Sequence, residues 1–357
     1  MRKLLLIMFL FAFLEGKTQT IHRVTTGMSL QTEITNAPNG DIFYAEGGIV
    51  YENLEINKKV TIFGTGYFLS NNQASPGESK VGQINLKPGS DGSYITGLHT
   101  MGSINIWANN VVIQRCYVDG EGRLRLGYNA TTGQWTGTAN NCILIQNYAQ
   151  RPEILTNTIL SSTASVSNFV VKGNIFYRYG FHLQGNISGE ITNNTFMPGV
   201  TPLEAYYSIQ NTNTGYPYNN ICTILPVSIK NNIMPNIGYE CPITSNVPTV
   251  FSNNVFNQNF TNLPSSNVIN ADANALFVGY PTNPNNALTP DARCQLASNS
   301  AAKGAGEGGT DAGAFGGDTP YVLSGIPIIP NIYQLTVPLQ VPQGGTLNVQ
   351  IKAKTNN

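Results

Sequence analysis

The densest gathering of acids and guanidinium groups in the sequence lies at Asp119, Glu121, Arg123 and Arg125, with Arg178 and His182 following further along. This set would suit a polysaccharide lyase. Carboxylates could hold a calcium ion, and an arginine could draw off the proton beside a uronate carboxyl group. The spacing matches no calcium-ligand pattern, so a calcium ion is expected only under the lyase reading, and otherwise no metal or cofactor. Glycoside hydrolysis asks for two carboxylates flanking the scissile bond. Between residues 120 and 271 there is no aspartate, and Glu121, Glu153, Glu190, Glu204 and Glu240 are scattered. Glu153 and Glu190 also sit near strand corners, where a solvated surface role suffices. Asp119, Glu121, Arg123, Arg125 and His182 are therefore weak catalytic candidates.

A second set of residues points to binding. Four short stretches, INIWAN, ILIQN, FHLQGN and YSIQN, align so that Trp107, Gln146, Gln184 and Gln210 form one outward column. Asn105, Leu144, His182 and Ser208 form a parallel row beside them, and Ile106, Ile145, Leu183 and Ile209 point inward. A long segment, residues 119–140, interrupts the regular pattern next to this column and carries Tyr128 and Trp135. Trp107 and Trp135 are the chain's two tryptophans. An aromatic face can stack on a pyranose ring while amides bond its hydroxyls. The column holds few ionisable groups, so binding there is expected to depend only weakly on salt.

The elements that must position these residues come from a repeat. EITNNTF (190–196) is rewritten as VVKGNIF, SIKNNIM and VFSNNVF, with looser copies at VVIQRCYV and EILTNTIL. With the second asparagine as a ruler, the marks fall at Arg115, Asn157, Asn174, Asn194, Asn232 and Asn254. The steps cluster near twenty residues or twice that, a solenoid period. The missing leucine pattern excludes leucine-rich repeats, and units that alternate with period two and are rich in β-branched residues, Asn and Gly disfavour helical ones. A β-helix of short parallel strands remains. In it the asparagine turns a corner and its amide meets the equivalent asparagine one coil away.

Residues 37–68 and 84–98 resemble the entry coils of secreted right-handed parallel β-helix proteins of the pectate-lyase-like group. Residues 299–317, with an Asp-x-Gly-Ala motif at 311–314, resemble their closing segment. The end of the chain is similar to those of secreted β-helix proteins of the Bacteroidetes. The resemblance implies an all-β fold, a single right-handed parallel β-helix, and leaves function open, because lyases, hydrolases, esterases, adhesins and scaffolds share it. None of the pectate lyase, polygalacturonase or pectin methylesterase signatures is present.

Three segments follow. Residues 1–20 read as a signal peptide, with Arg2 and Lys3 before an apolar run from Leu4 to Leu14 that is too short to span a bilayer. Residues 21–317 form the β-helix, and residues 318–357 a short C-terminal β cap and extended tail. The expected location is secreted or cell-surface. Of 357 residues only 11% are charged and the net charge is zero, which argues against nucleic acid and anionic membrane as partners. No segment reads as a membrane span, and a monomer is expected. The five cysteines, Cys116, Cys142, Cys222, Cys241 and Cys294, could form disulfides with one left over or serve as small buried hydrophobes, and none has zinc-ligand spacing. His22, His99 and His182 are far apart, and no phosphate-binding glycine loop or G-x-S-x-G elbow occurs.

The leading expectation is an exported, non-catalytic protein that binds polysaccharide or another cell-surface glycan along one strand face. The alternatives are a divergent lyase acting on an acidic glycan and a structural surface protein without a defined ligand.

Overall fold

The computed structural model describes residues 19–69, 77–156, 161–178, 181–197, 209–211, 226–235, 250–257, 259, 263–279 and 287–355. Among these described residues, short strands stack coil upon coil into three parallel sheets of ten, eight and seven strands. Sheet A runs from Ile21–Val24 to Val250–Ser252, sheet B from Lys80–Val81 to Val255–Phe256, and sheet C from Leu54–Ile56 to Ile209–Asn211. The architecture is an all-β parallel β-helix. Alternation decides which side chains fill it. In sheet A, Ile95, Ile113, Leu144, Val171, Ile191 and Ile229 stand in register in successive coils, all buried. In sheet C, Leu124 and Leu126 point inward on either side of Arg125. A helix, Leu30–Asn36, lies beside the first coils and buries Leu30 and Ile34 against the core, with Ser29 capping its N-terminus.

The paired asparagines divide the labour of the corner between sheets A and B. The first of each pair takes a left-handed backbone, φ 55° at Asn193, 56° at Asn231 and 57° at Asn253. The second points inward and joins a continuous ladder: the Nδ2 of Asn147, Asn174, Asn194, Asn232 and Asn254 each donates to the Oδ1 of the next, ending at Asn267, over 2.9–3.0 Å. Each Oδ1 also accepts the backbone N–H of the preceding rung. Asn147, Asn174, Asn194, Asn232 and Asn254 are fully buried, so the ladder satisfies polar groups that water cannot reach.

Arg115 corrects the ruler by one residue. It occupies the bending slot, with φ 53°, and Cys116 stands at the ladder position, its N–H donating to Asn147 Oδ1 at 2.9 Å. Asn157 lies outside the described residues. Gln146 is also a corner residue, with φ 56°, and Asn147 is a rung that the repeat alignment passed over.

Beyond sheet B the chain folds back on itself. Ile233 and Val255 are covered by Ala271, Leu276, Phe277, Ala302 and Ala312, which gives sheet B a second apolar layer. Asn331–Thr336 and Gln350–Lys354 then pair antiparallel. Among the described residues no helix is long and apolar enough to cross a membrane. Cys116, Cys142 and Cys294 are buried and unpaired, so these three act as small hydrophobes. Burial pushes the thiols of Cys116 and Cys142 up to about 12. Cys222 and Cys241 lie outside the described residues.

Candidate functional site

Pairing in sheet C sets one register across the coils. Glu55, Asn85, Asn105, Arg125, Glu153, His182 and Gln210 stand at the same register. Asn85 donates to Glu55 and Asn105 donates to Asn85, so the early coils carry a short amide chain. At Arg125 the column becomes ionic.

Glu153 is the centre of this ionic stretch, with its side chain only 3% exposed. Arg125 Nε donates to Glu153 Oε2 at 2.8 Å, Arg123 lies 3.3 Å from Oε1, and Arg151 pairs with Oε1 as well. Burial works against the charge on Glu153, but the guanidinium groups of Arg151, Arg123 and Arg125 outweigh it and hold the carboxyl below its ordinary range. Three guanidinium groups thus gather around one buried carboxylate on this face. The three arginines are half-buried and reach solvent.

Two aromatic rings border the cluster. The Arg125 guanidinium lies 4.5 Å from the Tyr128 ring centroid and 5.9 Å from that of Trp135, and the two rings meet edge to face at 5.0 Å. A tight turn holds them there. Asn129 Oδ1 accepts from the N–H groups of Thr131 and Thr132, an Asx turn, and Asn129 N donates to Gln134 O. Gly137 then returns against the Trp107 ring, where a Cβ would overlap it. The irregular excursion is confined to residues 127–141. The rest of the segment read as an insertion contains a regular sheet C strand, Leu124–Leu126.

The remaining acids form the rim. Asp119 Oδ1 accepts from Tyr117 Oη and Gly120 N, both at 2.6 Å, and Oδ2 lies 3.3 Å from His99 Nε2. Burial opposes the charge on Asp119, but hydrogen bonds from Tyr117, Gly120 and His99 keep its carboxyl low. The other His99 ring nitrogen lies 2.5 Å from Glu78. Glu121 pairs with Arg178 at 2.6 Å. Gln150 Nε2 donates to Gly120 O at 3.0 Å, which fixes the turn leading into Arg123. Asp119 and Glu121 thus face different partners, and no group of three His, Cys, Asp or Glu side chains among the described residues is arranged to hold a metal ion.

The single column of Trp107, Gln146, Gln184 and Gln210 does not form. Gln210 is level with His182, whereas Trp107 and Gln184 stand two residues beyond that register. Gln146 is on another face altogether, buried at the A–B corner, where it accepts from Gln114 Nε2 and Arg115 Nε and donates to Pro320 O. In the companion row Leu144 points into the core, and Ser208 lies outside the described residues. Asn105 and His182 do share a register. The stretch ILIQN belongs to sheet A and FHLQGN to sheet C, and short strands of like composition gave the alignment no way to separate them. Sequence reasoning also missed Arg151 and placed Glu153 on a solvated corner, whereas it is a buried strand residue. The available signal was two charge-x-charge alternations, Arg123–Arg125 and Arg151–Glu153, in a chain poor in charge.

No family model matches the sequence, and no curated protein matches it. Among solved structures the chain is similar to a PL6 family alginate lyase at 10% identity and a TM-score of 0.30. The match covers 90% of this chain and 60% of the lyase chain, so this chain spans about three fifths of that protein's length. A likeness this slight carries no inference about activity.

Proposed function

We propose that this is an exported protein that binds an acidic polysaccharide across sheet C, at the Arg123, Arg125 and Arg151 cluster, without cleaving it. The observation that carries the reading is the buried Glu153 carboxylate shared by three half-buried arginines. Glu153 holds the three guanidinium groups together, and an arginine-rich face suits carboxylate or sulfate groups, which arginine recognises through paired N–H donors. Tyr128 and Trp135 supply apolar rings for the sugar beside the charge. The apolar leader supports export.

Elimination needs a base as well as a cation to steady the anionic intermediate. Glu153, Asp119 and Glu121 are each engaged by partners that favour their charged forms. This argues against a carboxylate as the base and leaves an arginine base to the turnover assay below. Under the lyase alternative, a calcium ion would have to join the site.

The test is titration of the protein with a soluble polyuronate. Wild type should saturate, with affinity that falls as salt is raised, because the face carries more charge than sequence reasoning anticipated. Arg125→Ala should bind about tenfold more weakly, a loss of about 1.4 kcal/mol. Trp135→Ala should weaken binding by a smaller factor at an unchanged melting temperature. Steady accumulation of unsaturated uronate ends in ultraviolet absorbance, abolished in Arg123→Ala/Arg125→Ala, would replace the binder by the lyase.

A further inference from the structure

The corner between sheets A and B bends once per coil through a residue in the left-handed region: Gly97, Arg115, Gln146, Gly173, Asn193, Asn231 and Asn253. Asparagine suits every such position, so the glycines, the arginine and the glutamine call for another cause. That cause is the C-terminal chain. Residues 305–327 pass along this column in reverse order and touch it coil by coil.

Asn253 Nδ2 donates to Ala305 O at 3.3 Å. Asn231 Oδ1 accepts from Glu307 N at 2.9 Å, and Asn231 O accepts from Gly313 N at 2.7 Å. Gly317 passes so close to Asn193 that a Cβ would lie 3.0 Å from its amide nitrogen. A Cβ on Gly173 would lie 3.2 Å from Thr319 O, and one on Gly97 would overlap the Pro327 ring. Gln146 Nε2 donates to Pro320 O at 2.6 Å, and Arg115 donates to Ile326 O at 2.9 Å. The glycines sit where the passing chain leaves no room, and the two long polar side chains sit where its carbonyls need donors.

Other bonds tie the same segment to distant coils. Ala314 N donates to Thr195 Oγ1 at 2.9 Å, and Lys172 pairs with Asp318. At the other end Tyr67 N donates to Ser324 O at 2.8 Å, and the buried Tyr67 and Tyr321 hydroxyls meet. Asp291, fully buried, accepts from Ser324 N at 2.7 Å and fixes that end of the segment.

We infer that residues 305–327 form a latch that couples the first coils of the solenoid to the last. A bare solenoid is held by nearest-neighbour contacts, so a local lesion loosens the coils beside it. The latch contacts coils near Tyr67 and coils near Asn231 through one continuous segment, and loosening it at one end frees the other. This makes the stack one cooperative unit, closed only after the coils that the segment passes have been made.

Hydrogen exchange on the full chain separates the two behaviours. Gly325 has φ 53°, and a Cβ there would overlap the Tyr67 ring, so Gly325→Ala lifts the latch at its Tyr67 end. The latch requires the amides of Thr195, Ile233 and Gly313, remote from Tyr67, to exchange at least about tenfold faster than in wild type. Faster exchange confined to residues 64–69, with the remote amides unchanged, overturns it. Should Gly325→Ala fail to fold, Lys172→Ala removes a solvent-facing tie to Asp318. It should speed exchange about threefold at both Tyr67 and Gly313, and no change at either position would equally overturn the latch.

Discussion

Glu153→Ala is expected to be the most damaging single substitution outside the apolar core, with a stability loss of about 3 kcal/mol. The carboxylate is buried between Arg123, Arg125 and Arg151, and its removal leaves three guanidinium groups facing one another without their shared counter-ion. The arginines keep partial contact with water, which places the loss at the lower end for a broken buried pair. The same substitution should also weaken anion binding at temperatures where the protein is folded, because the arginines lose the carboxylate that gathers them. Stability and affinity falling together would mark Glu153 as the organiser of the arginines, whereas affinity that rises on its removal would mark it as a competitor of the bound anion. The pH dependence has a definite sign. The folded-state pKa of Glu153 is below its ordinary value of 4.5, so its contribution is complete above that value and fades as pH falls through the lower folded one. Glu153→Gln should accordingly show a shallower acid limb in a plot of melting temperature against pH. An unaltered limb would remove the ion cluster from the account of stability.

Asn194→Ala should follow closely, at about 3 kcal/mol and a melting temperature lower by roughly 5 °C. Asn194 Oδ1 accepts from both the backbone and the side chain of Asn174, and its Nδ2 donates to Val171 O, Thr192 O and Asn232 Oδ1. All of these bonds but the one to Thr192 O are buried at the ladder, so alanine strands several groups at once. Asn193→Gly, one residue away, should be nearly neutral by comparison, since Asn193 serves chiefly as the left-handed bend and glycine adopts that conformation freely. Equal melting temperatures for wild type and Asn194→Ala would show that the ladder is not what holds the corner.

The corner was legible in the sequence because one residue type does one job there at a steady period. Asn174, Asn194, Asn232 and Asn254 all proved to be rungs. The reading slipped at Arg115 and Gln146, where the bend is made by residues chosen for the passing C-terminal segment, a contact over 170 or more positions that no local pattern records. The face of the site was harder still. Strands of two to four residues carry too little alternation to say which of three sheets they join, so Ile143–Ile145 of sheet A was aligned with Phe181–Gln184 of sheet C. Charge was legible only where it was local. Arg123 and Arg125 stood out beside Asp119 and Glu121, but their actual partner, Glu153, comes from the next coil. Register between coils depends on the length of the intervening excursion, residues 127–141, and composition does not encode that.

The most direct test of the binding claim compares two polymers that differ only in charge. Titration of the protein with a polyuronate and with the same polymer after its carboxyl groups have been reduced to hydroxymethyl groups isolates the arginine cluster from ring stacking and amide contacts. Saturable binding of the polyuronate, at least about tenfold tighter than that of the reduced polymer and lost in step with Arg125→Ala, is the predicted result. Equal affinity for the two polymers, or binding of neither, would contradict it.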